Sequence, residues 1–273
     1  MLGSCLLGLL LALPARGQEG PSLLLGVMPY LNTRTLITNY APLATALEKS
    51  LGRPVQLQTA PDFDTFNRRT FAGDYDLVLT APHFARLATL DYGYQPLLVH
   101  RNSIRCLVVT SRSAPLTSAE DLRGQVLAIH ERSAIVPMAA ASWLAEGGLV
   151  EGRDYRFVEA ITQTSALHNA LNGKARAAMI SEGTLLQASP EARQEALVFK
   201  ECGKIPGLFL LSHNRQPKAL QARIKAALLS FEQSAEGTRF FEVTKHGGYR
   251  EPTPDDARLM DKVLPEARRQ LGK

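Results

Sequence analysis

Short apolar runs alternate along the chain with segments in which every third or fourth residue is apolar. Residues Leu23–Val27 form a continuous apolar run, which is typical of a strand buried on both faces. The next segment predicts a helix with one apolar face, and we expect Asn39 to cap it, Pro42 to lie in its first turn and Gly52 to end it. The apolar positions of that helix are Leu36, Tyr40, Leu43, Leu47 and Leu51.

The same alternation continues to about residue 180 in two sets of similar size. The first set predicts strands at 23–27, 55–59, 76–80 and 96–100, and the second predicts strands at 106–110, 126–129, 155–158 and 177–180. Two such sets indicate two α/β lobes.

The lobe boundaries follow from where one set ends and the other resumes. We expect lobe 1 to comprise residues 18–104 and 209–273, and lobe 2 to comprise residues 105–208. The chain would cross between them at 101–105 and 204–208 and form a hinge of two segments. Residues 218–273 are charged and helical in pattern, and we expect them to pack on lobe 1.

The first seventeen residues have the pattern of a signal peptide. An apolar run at 5–13 is broken by Pro14 and followed by Ala15, Arg16 and Gly17, which predicts cleavage before Gln18 and export to the periplasm. No Lys or Arg precedes the run. An alternative is lipidation at Cys5, but a lipoprotein signal has its apolar stretch before the Cys, and here the stretch follows it.

Composition and charge narrow the classes of function. With 45% hydrophobic and 21% charged residues, the chain has the composition of a globular protein. We expect it to be a monomer. Without Arg16, 30 Lys and Arg stand against 26 Asp and Glu, a formal charge of +4 that suits an anionic ligand. The basic residues are interspersed with acidic ones, so we expect no nucleic-acid binding.

Polar side chains cluster in the loops that follow the predicted strands. Ligands of open α/β sheets bind beyond the carboxyl ends of the strands, where helix N-termini present free N–H groups. Together these loops favour a site for a small oxyanion. An alternative is that Thr80, Ser133 and Ser165 are ordinary helix N-caps. The candidate ligand contacts are Tyr30, Asn32, Thr80, Ala81, His83, Arg132, Ser133, Ser165, His168 and Glu182.

Three basic or titratable side chains stand out within this set. The guanidinium of Arg132 can bind two oxygens of a carboxylate or phosphoryl group at once, although Glu131 is an alternative partner for it. His83 and His168 each follow a predicted strand-to-helix loop, so each could donate to an anion or serve as a surface or capping residue.

Signatures of enzymes and metal sites are absent from the sequence. There is no Gly-x-Ser-x-Gly, His-Glu-x-x-His, Walker or Gly-x-Gly-x-x-Gly motif, and the six histidines are dispersed. We therefore expect no catalytic residues, no metal and no cofactor. An enzyme built on the same two-lobed scaffold is kept as an alternative.

Two cysteines, Cys106 and Cys202, remain after removal of the signal peptide, and each lies beside a predicted crossing. In an oxidising compartment they could form a disulfide. The alternatives are two half-buried apolar residues, or a free Cys106 that binds a thiophilic ligand such as an arsenic oxyanion.

Read in order, several stretches resemble the phosphate, phosphite and phosphonate substrate-binding family of ABC transporters over about residues 22–255. These stretches are Leu-Leu-Gly-Val-Met-Pro-Tyr at 24–30, residues 40–55, Gly-Asp-Tyr-Asp-Leu-Val-Leu-Thr-Ala-Pro at 73–82, Asp-Leu-Arg-Gly at 121–124, and residues 165–173. The resemblance implies a type II periplasmic-binding fold, hinged closure on a ligand, and delivery to a membrane permease.

The resemblance also aligns individual loops with those that contact the ligand in the family. Tyr30 matches the aromatic residue of the first loop, 80–83 the second loop, Ser165 and His168 a helix start facing the cleft, and Glu182 a polar contact after a strand. The chain departs from the family at 130–133, where His-Glu-Arg-Ser replaces a hydroxyl-rich Ser-Thr-Ser-Gly loop.

These observations predict a periplasmic protein that captures a small anion between two lobes and delivers it to an ABC permease. The same fold could instead serve as the input module of a sensor kinase or receptor. The sequence does not separate transport from sensing.

Overall fold

The computed structural model describes residues 20–272, so the predicted signal peptide at 1–17 and the cleavage site before Gln18 lie outside the described residues. Its strands belong to two separate sheets. In chain order they are β1 Leu23–Val27, β2 Val55–Gln58, β3 Leu77–Thr80, β4 Tyr94–His100, β5 Ile104–Ser111, β6 Gln125–Ile129, β7 Tyr155–Glu159, β8 Ala177–Ser181, β9 Ala196–Ile205, β10 Phe209–His213 and β11 Tyr249–Arg250.

Helices join the strands, and a short 3₁₀ turn at Ala119–Leu122 precedes β6. The helices are α1 Thr33–Leu51, α2 Phe63–Phe71, α3 Pro82–Asp91, α4 Ile135–Glu146, α5 Gln163–Leu171, α6 Glu182–Gln187, α7 Pro190–Glu195, α8 Lys218–Glu232, α9 Ala235–Thr244, α10 Pro254–Asp261 and α11 Leu264–Gln270. The C-terminal helices pack mainly on the first sheet's helices, as the sequence predicts: α8 and α9 contact α1, while α10 and α11 contact α3.

Each sheet contains parallel strands and a strand that runs antiparallel to its neighbours. This strand directly follows a segment in which the chain passes from one sheet to the other. The first sheet has the order β11-β4-β10-β3-β1-β2, and the second has the order β7-β6-β8-β5-β9. Strand β10 is antiparallel to β3 and β4, and β5 is antiparallel to β8 and β9. The strands β1, β2 and β3, and likewise β6, β7 and β8, are parallel and end at one edge of their sheet.

Helix α1 begins earlier than the sequence pattern predicts. Its N-cap is Asn32, whose side-chain oxygen accepts a hydrogen bond from the Thr35 N–H at 3.0 Å. The prediction that Asn39 caps the helix is therefore wrong, and Pro42 lies inside the helix instead of in its first turn. The predicted end is confirmed, because Gly52 adopts a left-handed conformation at φ 69°.

A close approach fixes one glycine in the core of the first sheet. The ring of Tyr75 stacks on Phe66, with 5.3 Å between the ring centroids, and lies against Gly26 of β1. A Cβ atom at position 26 would lie 2.7 Å from the Tyr75 ring. Glycine is required there because the aromatic ring occupies the space of a side chain.

The chain crosses between the sheets at two adjacent places. Strand β5 begins at Ile104 opposite Ile205, the last residue of β9, so both crossings are shorter than the predicted segments 101–105 and 204–208. Arg101 donates its backbone N–H to the Gly248 carbonyl at 2.8 Å, and Asn102 donates to the His246 carbonyl at 3.0 Å. The outgoing crossing is thereby bonded to the loop before β11.

Cys106 of β5 and Cys202 of β9 form a disulfide between neighbouring strands, with 5.2 Å between their Cα atoms. The disulfide hypothesis is confirmed, and neither thiol is free for the alternative of a thiophilic ligand. The bond closes a segment with a sequence separation of 96 residues. Closing so long a segment restricts the unfolded chain, which stabilises the folded state.

We predict that reduction destabilises the protein by about 2–4 kcal/mol. Urea unfolding with and without a reductant measures the difference. The double variant Cys106→Ser/Cys202→Ser serves as the control, because its unfolding should not respond to the reductant. Equal stability of the oxidised and reduced wild-type protein would contradict the prediction.

Candidate functional site

The N-termini of α3 and α4 meet where the carboxyl ends of the two sheets face each other. The Nε2 atom of His83, in the first turn of α3, lies 2.9 Å from the backbone oxygen of Ser133, just before α4. The N-caps are Ala81 and Ala134, and neither provides a side-chain hydrogen bond. The first-turn N–H groups of both helices are therefore left without the usual side-chain acceptor.

Two buried side chains beside this junction have polar atoms without partners. Thr80 ends β3 and is only 1% exposed, and its hydroxyl has no hydrogen-bond partner among residues 20–272. The Nδ1 atom of His83 is likewise unpaired within that part of the chain. Buried polar atoms are normally hydrogen-bonded, so two exceptions only three residues apart indicate a place for a ligand.

The protonation state of His83 follows from its contact with Ser133. A carbonyl oxygen only accepts, so Nε2 carries a proton and, in the neutral ring, Nδ1 carries the lone pair. Burial lowers the pKa of His83 from its ordinary 6.5 to about 4, partly opposed by the hydrogen bond to Ser133. The ring is therefore neutral at physiological pH.

Tyr30 and Asn32 follow β1 at the same edge of the first sheet. The Tyr30 hydroxyl lies 2.9 Å from the Tyr40 hydroxyl and 3.2 Å from Nε2 of His246, and burial raises the pKa of Tyr30 to about 12. Asn32 is exposed, and its side chain caps α1. Both polar groups thus already have hydrogen-bond partners in the protein.

The guanidinium of Arg132 points away from the contact between His83 and Ser133. Arg132 is 37% exposed and pairs with Glu151 at 2.5 Å and with Glu159 at 3.6 Å. The alternative pairing with Glu131 is not the one formed, because Glu131 accepts a hydrogen bond from the Ser133 hydroxyl. The backbone of residues 132 and 133 lies at the junction, whereas the charged group of Arg132 does not.

The remaining predicted residues of the second sheet lie on α5 and α6. Ser165 is in the first turn of α5, where its N–H donates to the Thr162 hydroxyl at 3.0 Å, and His168 is exposed further along that helix. The alternative that Thr80, Ser133 and Ser165 act as N-caps is wrong, because the caps of α3, α4 and α5 are Ala81, Ala134 and Thr162.

Glu182, at the start of α6, forms an ion pair with Arg105. Arg105 also binds Glu201 through its Nε atom at 3.0 Å, and this bond lowers the pKa of Glu201. Neither Arg105 nor Glu201 is among the site residues predicted from the sequence. The signal for Arg105 is its place at the start of β5, opposite the end of β8, because β5 runs antiparallel to that strand.

Within residues 20–272, no group of three or more His, Cys, Asp or Glu side chains could hold a metal ion. No helix in that range combines the length and apolar content needed to cross a bilayer.

Comparison with solved structures defines the fold as a two-lobed type II periplasmic-binding fold. XAC2383 from Xanthomonas citri bound to ATP superposes with a TM-score of 0.77 at 16% identity, covering 91% of this chain and 97% of that one. PhnD1 from Prochlorococcus marinus in complex with methylphosphonate gives a TM-score of 0.73 at 13% identity, covering 92% and 98%.

A third similar structure is a binding protein component of an ABC phosphonate transporter from Pseudomonas aeruginosa, with a TM-score of 0.74 at 12% identity, covering 91% of this chain and 87% of that one. No curated protein matches the sequence significantly. The family model described as ABC transporter, phosphonate, periplasmic substrate-binding protein matches residues 25–257.

The chain therefore belongs to the periplasmic substrate-binding family of phosphonate ABC transporters. Proteins of this family are transporter components and not enzymes, and they bind a small ligand for a membrane permease.

The buried neutral His83 predicts a pH-dependent stability. Between its ordinary pKa of 6.5 and its folded pKa of about 4, the unfolded chain binds the proton more strongly, so stability falls as the pH falls through this window. The variant His83→Gln should flatten this dependence by up to about 1.4 kcal/mol per pH unit.

Urea unfolding at pH 7, 6, 5 and 4 measures this slope. Burial also lowers the pKa of His246 to about 4, so the variant should remove one part of the dependence and leave the rest. Thr80→Val, a neighbouring change without a titratable group, is the matched control. Identical slopes for His83→Gln and the wild type would contradict the assignment.

Proposed function

We propose that this protein captures a small oxyanion at the junction of the α3 and α4 N-termini and delivers it to an ABC permease. The observation that carries the proposal is the His83 to Ser133 contact, which holds two helix N-termini with alanine caps opposite each other. The unpaired hydroxyl of Thr80 lies at the end of the strand that leads into α3.

Electrostatics favours an anion at this junction. Each helix N-terminus carries a partial positive charge that stabilises an anion by about 0.3–1 kcal/mol when exposed, and more where water is excluded. Thr80 can add a donated hydrogen bond. Arg132 would have to leave Glu151 to bring its guanidinium to the same anion, so we assign the main stabilisation to backbone N–H groups.

The proposed capture involves closure of two lobes, residues 18–104 with 209–273 and residues 105–208. The His83 to Ser133 hydrogen bond joins residues of both lobes and can form only when they approach. An anion between α3 and α4 would favour the same approach, because it interacts with both helix N-termini at once. Ligand binding and closure are therefore linked in this proposal.

The cellular setting is also part of the proposal. We infer export through the signal peptide at 1–17, a periplasmic monomer, and docking of the closed form on a permease. A sensor kinase as the membrane partner would use the same capture step. Membership of the transporter family favours the permease.

Calorimetric titration of the mature protein tests the capture step. We expect heat of binding with at least one of methylphosphonate, phosphite, phosphate or sulfate. Thr80→Val should weaken that binding by about 1 kcal/mol, roughly fivefold, because one hydrogen bond is lost.

The matched control is Thr238→Val, an exposed threonine of α9 remote in sequence from the junction, which should leave the affinity unchanged. Silence with all four anions would refute the proposed function. Binding that is equally strong in the Thr80 variant would exclude that hydroxyl from the site.

A further inference from the structure

A cavity lies between α4 and the C-terminal helix α11. Its volume is about 310 Å³, and its walls are α4 and the β7 edge of the second sheet on one side and the segment from Lys262 to Gln270 on the other. Of the ten candidate ligand contacts, Arg132 lines this cavity. A volume of this size lies at the lower end of the range for small-molecule sites.

Ion pairs anchor the C-terminal wall of this cavity to α3. Arg86 of α3 binds Asp261 through two hydrogen bonds at 2.7 and 3.1 Å, and Arg268 of α11 pairs with Asp91 at 2.7 Å. The C-terminal wall is therefore attached to α3 of lobe 1, whereas α4 and β7 are part of lobe 2. A molecule in the cavity would contact both parts.

Most of the inner surface of the cavity is apolar. Met138 and Leu149 lie on the side of the second sheet, and Val263 and Pro265 lie opposite them. The Tyr155 ring packs edge-on against Phe157 with 5.1 Å between the ring centroids, and both rings line the cavity. Such a lining stabilises an aromatic or branched aliphatic group.

Two polar groups of the lining have no protein partner. Tyr155 is 5% exposed, yet its hydroxyl has no hydrogen bond to any described residue. The ammonium group of Lys262 also has no hydrogen bond or ion pair within residues 20–272. Burial raises the pKa of Tyr155, with Glu151 adding to the effect, so the phenol keeps its proton and can donate it in a hydrogen bond.

The other charges around the cavity are already balanced. Arg132 pairs with Glu151 at 2.5 Å, and Arg269 pairs with Glu266. Lys262 is then the one uncompensated charge among the described residues that line the cavity. A free cation and a hydrogen-bond donor in the lining of one cavity favour a ligand with one negative charge.

We propose that this cavity binds a small apolar monocarboxylate, an aromatic or branched aliphatic acid. Its hydrocarbon part lies against Met138, Phe157 and Val263, and its carboxylate accepts a hydrogen bond from Tyr155 and pairs with Lys262. The site is separate from the proposed oxyanion site and does not depend on it. Occupation ties the C-terminal helices to the second sheet.

Calorimetry with phenylacetate as the probe and phenylacetamide as its uncharged analogue tests this proposal on the mature protein. We expect phenylacetate to bind at least about tenfold more tightly than the amide, because the charged hydrogen bonds are lost in the amide. Tyr155→Phe and Lys262→Gln should each weaken phenylacetate binding by roughly fivefold or more and leave phenylacetamide binding nearly unchanged.

Met138→Trp fills the cavity and should abolish phenylacetate binding, while any oxyanion binding at the α3 and α4 junction stays as in the wild type. Lys218→Gln, at an exposed lysine of α8, is the control for loss of a positive charge and should change nothing. Circular dichroism checks that each variant is folded, and Lys262→Gln alters only an exposed side chain. No binding of phenylacetate, equal affinities for acid and amide, or full affinity in Lys262→Gln would each overturn the proposal.

Discussion

The parallel strands of each sheet end at one edge of that sheet. A hydrogen bond from His83 to the Ser133 carbonyl joins these two edges. This contact depends on backbone geometry, because helices that follow parallel strands direct their N-termini toward the same edge. Alanine caps on α3 and α4 leave the first-turn N–H groups unoccupied. The positive potential at the junction is therefore built from peptide dipoles, and side-chain charge is not needed to produce it.

The arginines near the candidate site form ion pairs with carboxylates of the protein. Arg105 is shared between Glu182 and Glu201, and Arg132 pairs with Glu151 and Glu159. These pairs are half-exposed, so each adds little to stability, but together they neutralise carboxylates that would repel an anion. In the loop at 130–133, the Ser133 carbonyl accepts a hydrogen bond from His83, and the Ser133 hydroxyl donates one to Glu131.

The sequence pattern predicts the parallel strands well, since each is a compact apolar run followed by a polar loop. It does not reveal β9 or β10. Strand β9 is an edge strand with partly exposed residues on both faces, and the short apolar run at 208–211 overlaps the predicted crossing at 204–208. The sequence pattern places the start of α1 too late, because proline is favoured in a first turn and Pro42 therefore points to Asn39 as the cap. The helix is capped by Asn32 instead. The sequence does not predict which charged side chains pair. Several carboxylates lie near Arg132 in the chain, and only the fold shows that Glu151 is its partner.

The two crossings lie between the disulfide and the edge of the first sheet that carries Tyr30. The disulfide covalently joins β5 and β9, which begin and end at the crossings, so the two connecting strands move as one unit. The outgoing crossing is bonded through Arg101 and Asn102 to the loop at 245–248, and His246 in that loop bonds the Tyr30 hydroxyl at the edge of the first sheet. A displacement at the crossing therefore reaches the candidate site through bonded neighbours, without any change in the sheets themselves. The proposed closure of the lobes would therefore bend few residues, those of the two crossings.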